Sequence, residues 1–271
     1  MAKRKVLFIN QEIAPYVPKS ELATMGRDLP QKMQEGGFEI RTFMPKWGSI
    51  NERRGQLLEV IRLSGMNLVI NDIDHPLIIK VASIPVSRVQ VYFIDNEDYF
   101  LRRQGMAEDE AGTEYADNGE RAIFFARGVL ETVRKLRWTP DIIQCQGWMA
   151  GVVPFYAKTV YHDDPSFTNA KIVTSLFRSQ PRSHLGDNFK RCVAFREAGP
   201  ELLEPYADKF DYMELGKLAI DYSDAVVEAD GDASKGLSDY AQGKGMPMLA
   251  YPGENYAQGY KAFYHSLFDE K

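Results

Sequence analysis

The chain has 271 residues, 44% hydrophobic and 26% charged, the balance of an ordinary globular protein rather than a disordered or fibrous one. A core of that size buries roughly three quarters of the unfolded surface, so no disulfide or metal staple is needed. A formal net charge of −5 supplies no cationic excess for a phosphate backbone, and no nucleic-acid partner is expected.

Cys145 and Cys192 are too few for a disulfide framework and form no CxxC pair. The apolar run at 6–9 is too short for a signal-peptide core, and polar Asn10-Gln11-Glu12 follows at once. No window approaches 18 apolar residues, so no membrane span is expected, and the chain reads as cytoplasmic with reduced thiols.

Val6-Leu7-Phe8-Ile9 reads as a parallel strand buried on both faces. A helix follows over about 20–35, with Leu22, Met25, Leu29 and Met33 at spacings of three and four, and Gly36-Gly37 ends it. Residues 38–44 form the next strand, completing a βαβ unit. Between about 56 and 95 four β-rich pieces succeed one another, at 57–63, 68–73, 77–84 and 89–94, with turns at Asn71-Asp72 and His75-Pro76. This segment is expected to be a β-hairpin insertion.

Residues 104–118 are polar and acidic and are expected to form a loop. A long helix at 118–136 and a buried strand at 141–145 come next. Then a helix is expected near 148–161, a strand at 171–176, an irregular polar stretch at 178–205, a helix at 210–222 and a strand at 225–227. A last helical stretch begins near Ala233. The alternation predicts one doubly wound α/β domain over 1–271, of Rossmann-like parallel type. A ligand crevice is expected at the carboxyl ends of the strands, near 10–19, 145–148 and 176–178.

Walker A, GxGxxG and GxSxG motifs are absent. His75, His162, His184 and His265 are isolated and lack metal spacing. Asp230-Gly231-Asp232-Ala233-Ser234 has its glycine and its twelfth residue, Ala241, wrong for a calcium loop. No metal, no cofactor and no catalytic residue can be named from spacing.

Several stretches carry a family resemblance. Lys5-Val6-Leu7-Phe8-Ile9 with Glu12-x-Ala14-Pro15-Tyr16, Phe43-Met44-Pro45-Lys46-Trp47-Gly48 and Asp117-Asn118-Gly119-Glu120-Arg121 are similar to the opening half of bacterial glycogen synthases and plant starch synthases. Pro140-Asp141-Ile142-Ile143 with Trp148, and Lys217-x-x-Ile220-x-Tyr222-x-Asp224-Ala225-Val226, extend it across about 3–240. The resemblance implies the amino-terminal, acceptor-side half of a GT-B-type glycosyltransferase. Full-length members transfer glucose from ADP-glucose to a 1,4-α-glucan with retention and without a metal.

The departures fall on polar positions. The family's Lys-Thr-Gly-Gly-Leu loop, which meets the donor diphosphate, reads Pro18-Lys19-Ser20-Glu21-Leu22 here. Ser20 and Glu21 replace the two glycines, so close backbone approach to phosphate is lost and a carboxylate repels it. The family's His-x-His-Asp-Trp reads Gln144-Cys145-Gln146-Gly147-Trp148, and its Thr-Ile-His-Asn falls at Thr174-Ser175-Leu176-Phe177. The chain ends at Lys271, where a donor-binding domain would follow, so that domain is expected to be absent.

The expected substrate-binding residues, by family position, are Lys19, Ser20, Gln146 and Trp148. Lys19 reads equally as a surface lysine, and Trp148 as a sugar platform or a packing residue. The expected partners are a 1,4-α-glucan, a nucleotide sugar, and a second copy or other protein on the face that the missing domain leaves open. Two functions follow. One is a glycogen/starch synthase-like enzyme half, inactive alone and completed in trans. The other is a non-catalytic glucan-binding, scaffold or regulatory protein.

Overall fold

The apolar run near the amino terminus becomes strand β1 (Lys5–Asn10), in which Val6, Leu7, Phe8 and Ile9 are fully buried. The computed structural model describes residues 3–103, 105–178 and 185–268, so His184 and part of the expected irregular stretch at 178–205 lie outside the described residues. Helix α1 (Glu21–Glu35) is capped by Ser20, whose Oγ accepts from the Ala23 N–H at 2.9 Å. Inside α1, Pro30 removes the donor that would meet the Gly26 carbonyl. Asn10 Nδ2 donates to that carbonyl instead, at 3.5 Å, tying the end of β1 to the middle of the helix.

Strand β2 (Glu39–Pro45) pairs parallel with β1, and helix α2 (Glu52–Gly55) is a single turn. Then β3 (Leu58–Glu59), β4 (Met66–Ile70), β5 (Ile73–Ser83) and β6 (Gln90–Asp95) follow. The β4–β5 hairpin closes through Asn71 and Asp72, both with positive φ, as a two-residue turn matched to strand twist demands. β5 is antiparallel to β6, but β6 lies parallel beside β2. The strand at 89–94 therefore belongs to the doubly wound sheet itself, and the inserted strands are β3 to β5.

Helix α3 (Asn118–Leu136) runs as its sequence pattern indicates. Arg121 on its first turn is fully buried and donates to the carbonyls of Tyr99 and Met106 and to Asn118 Oδ1, at 2.8, 2.7 and 2.7 Å. Glu120 accepts from the Tyr99 hydroxyl at 2.8 Å. The polar residues of the 117–121 motif are thus spent on pinning the 97–106 segment to α3.

Strand β7 (Ile142–Gln146) pairs parallel with β1, and a 3-10 turn (Trp148–Ala150) precedes α4 (Val153–Lys158). The helix expected at 148–161 is therefore broken, with Gly151 and Pro154 at the break. Strand β8 (Lys171–Leu176) leads through α5 (Phe189–Val193) to α6 (Tyr212–Asp221), β9 (Ala225–Glu228), α7 (Lys235–Gly243) and β10 (Met248–Leu249). A final helix, α8 (Tyr256–Ser266), closes the described chain.

The strand order is β10-β9-β8-β7-β1-β2-β6-β5-β3, with β4 beside β5. The chain winds outward from β1 through β2 to β6, then returns to β7 and winds the other way, which sets the switch point between β1 and β7. Alternate residues of β1 feed two cores. Val6 and Phe8 face α1 and α8, while Leu7 and Ile9 face α3, α4 and α6. Among the described residues, no helix is long and apolar enough to cross a membrane.

Helix α8 is integral to its face. Tyr260 and Tyr264 are fully buried, and burial pushes both phenols above their ordinary pKa. The Tyr264 hydroxyl donates to Gln144 Oε1 at 2.8 Å, and Gln144 Nε2 donates to Ser175 Oγ at 2.8 Å. Ser175 Oγ and the Tyr260 hydroxyl share a hydrogen bond of 2.9 Å. This chain stitches β7, β8 and α8 together inside a mainly apolar layer.

Candidate functional site

The β1–α1 loop crosses the carboxyl end of the sheet at the switch point. Gln11 N–H donates to the Gln146 carbonyl at 3.0 Å, so the loop starts by extending the β1–β7 ladder. α1 then packs so tightly on the loop that a Cβ on Gly26 would stand 2.1 Å from the Glu12 carbonyl oxygen. The Glu12 carboxylate accepts from Ser20 Oγ at 2.7 Å and from Gln11 Nε2 at 3.0 Å. Ser20 therefore spends its oxygen on capping α1 and its proton on Glu12.

Across β7 the chain turns at Gly147, with φ 85° and ψ 163°, a backbone state that side-chain-bearing residues rarely adopt. A Cβ there would lie 2.7 Å from Gln11 Cβ and 2.8 Å from Gln11 Oε1. Gln11 thus occupies the space in front of residue 147.

The sequence places four binding candidates here, and the structure divides them. Lys19 and Ser20 are exposed and line a cleft. Gln146 is fully buried on the α1/α8 side of β7; its amide makes no hydrogen bond of good geometry and lies beside the Tyr260 hydroxyl. Trp148 is 4% exposed and sits in the larger core. The crevice expected at the carboxyl ends of the strands is divided, and the loop at 18–21 does not share its cleft with 146–148. It faces the ends of β8 and β9 instead.

That cleft has two adjoining recesses of about 330 and 530 Å³, which share Ser20, Glu21, Phe177, Asp230 and Tyr251. Its charge is mainly negative. Glu12, Glu21, Asp230 and Asp232 line the smaller recess, with Arg178 as its cation. Arg178 is already engaged: its guanidinium pairs with Asp232, and its backbone N–H donates to Asp230 Oδ2 at 2.8 Å. Lys19 makes no hydrogen bond or ion pair among the described residues and stands at the rim of the larger recess.

Sequence reasoning missed Glu12, Asp230 and Tyr251. Asp230 stood out only as part of a failed calcium loop, and its place beside Ser20 depends on strand order. Among the described residues, no group of three or more histidine, cysteine, aspartate or glutamate side chains is arranged to hold a metal ion. The arrangement can accept hydrogen bonds from a neutral ligand and present it an aromatic wall. Among the described residues it offers a diphosphate neither a glycine loop nor a cationic surround.

Comparison with known proteins gives the same lineage throughout. The family of starch synthase catalytic domains matches residues 5–249. A glycogen synthase of Chlorobium limicola is 42% identical over 178 residues, covering 65% of this chain and 36% of that protein. A glycogen synthase of Chlorobaculum parvum is 35% identical over 240 residues, covering 88% and 48%. This chain therefore spans at most about half the length of these relatives. Among solved structures, the catalytic domain of starch synthase IV from Arabidopsis thaliana, bound to ADP and acarbose, matches with a TM-score of 0.73 at 17% identity. The match covers 92% of this chain and 51% of that one, and it supports the GT-B-type fold. With matched motifs, matched family span and matched architecture, the chain belongs to the glycogen and starch synthase family of glycosyltransferases.

Proposed function

We propose that this chain is an acceptor-side glucan-binding member of the family that does not itself transfer glucose from a nucleotide sugar. The observation that carries the reading is the state of the loop before α1. Ser20 caps the helix internally and is bonded to Glu12, Glu21 occupies the first turn, and the adjoining cleft is lined by carboxylates whose arginine is already paired. A departing diphosphate needs fixed donors and cations, and losing one such donor commonly costs a hundred- to a thousand-fold in rate. A neutral glucan makes no such demand.

The test is equilibrium titration of the purified chain with maltotriose and, separately, with ADP-glucose. Saturable maltotriose binding without nucleotide-sugar binding supports the reading. Tight ADP-glucose binding that is lost in Lys19→Ala overturns it. A second reading, an enzyme half completed by another chain, draws on the partial coverage of the relatives. It requires transfer activity to appear only when a second protein is added.

A further inference from the structure

The stretch after Leu249 lies beyond the residues that the family match covers, yet it walls one side of the cleft. Tyr251 lies between β10 and α8 and contributes to both recesses. It is 48% exposed, a large aromatic left half open to solvent beside a cavity. Its ring rests against Gly231, where a Cβ would meet ring atoms at 3.4 and 3.5 Å. Its hydroxyl makes no hydrogen bond among the described residues. The neighbouring Tyr256 has its ring covered by Lys32, whose Nζ stands 4.6 Å from the centroid, which leaves Tyr251 as the open ring.

The larger recess, about 530 Å³, has the size of a small-molecule site. Met25, Phe177 and the two tyrosines supply its apolar lining. At its edge the side chains of Lys19, Glu21 and Glu254 make no hydrogen bond or ion pair among the described residues. A pyranose has apolar C–H faces that pack on an aromatic ring, and a rim of hydroxyls that donate to carboxylates and accept from an ammonium. A diphosphate would bring its own negative charge against Glu21, Asp230 and Glu254.

We propose that Tyr251 is the stacking platform of a neutral-sugar subsite in the recess between Ser20 and Glu254, built by a segment outside the family-matched stretch. The subsite rests on the glucan-binding reading above and names the residue that decides it. Glu21 and Glu254 accept from sugar hydroxyls, and Lys19 donates to one.

The experiment is calorimetric titration of maltotriose into the full chain, wild type against Tyr251→Phe, Tyr251→Ala and Gly231→Val. Phenylalanine keeps the stacking surface and should bind within about twofold of wild type, while alanine should weaken binding roughly tenfold. Gly231→Val should weaken it too, by pushing the ring from its seat. Thermal melts should leave Tyr251→Ala close to wild type, because the ring is half exposed. Wild-type affinity in Tyr251→Ala would overturn the subsite while leaving glucan binding intact. No maltotriose binding by the wild type would overturn both.

Discussion

Substituting Gly147 by alanine perturbs the turn that follows β7. The replacement must adopt φ 85° and ψ 163°, a region open essentially to glycine, at a strain of about 1–3 kcal/mol. Its Cβ would also stand 2.7 Å from Gln11 Cβ, an overpacking that adds about 1–3 kcal/mol. The sum is a loss of about 2–6 kcal/mol, and each kcal/mol lowers the melting temperature of a domain approaching this size by about 2–4 °C. Urea denaturation and a thermal melt of Gly147→Ala read it directly. Because the nearest atom is Gln11's own Cβ, Gln11→Ala in the same chain should restore little, whereas Gln11→Gly should restore the packing part and leave the backbone strain. An unchanged melting temperature in Gly147→Ala would refute the reasoning. So would full rescue by Gln11→Ala.

Tyr264→Phe strands the buried Gln144 carbonyl and should cost about 1–3 kcal/mol in urea denaturation, with α8 still in place by circular dichroism. Ser20→Ala removes both the cap and the partner of Glu12, and should lower stability by about 1 kcal/mol in the same assay. Burial raises the Glu52 pKa, but its pairs with Lys80 and Lys46 outweigh burial and hold it below the ordinary value of 4.5. A depressed folded pKa gives stability that is complete above the unfolded value and lost as pH falls through the folded one. Glu52→Gln should therefore flatten the acid limb of a stability–pH profile below that value, and an identical limb in the variant would count against the ion pairs.

Much of the fold was legible because its centre is written in local terms. Val6 to Ile9 form a wholly apolar run, Ser20 precedes the periodic residues of α1, and Asn71-Asp72 sits between alternating strands. Helix α8 was missed although Tyr256, Tyr260 and Tyr264 recur every four residues. Gly259 within it and the uneven turns before it masked the period. The break after Trp148 was set by Gly151 and Pro154, which an apolar stretch conceals.

The site was less legible. The loop at 18–21 could be located from β1 and α1, but its partners lie more than 150 residues away, and only strand order brings Phe177, Asp230 and Tyr251 to it. Gln146 and Trp148 hold family positions and look polar or sugar-binding in sequence. Which side of β7 and of the following turn they take depends on how α1, α8 and α6 pack.

The central claim, glucan binding without glucosyl transfer, is tested most directly by incubating the purified chain with labelled ADP-glucose and glycogen. The account predicts no incorporation above background at any protein concentration, with glycogen still retaining the chain on co-sedimentation. Incorporation that rises in proportion to the chain and disappears in Lys19→Ala would contradict it.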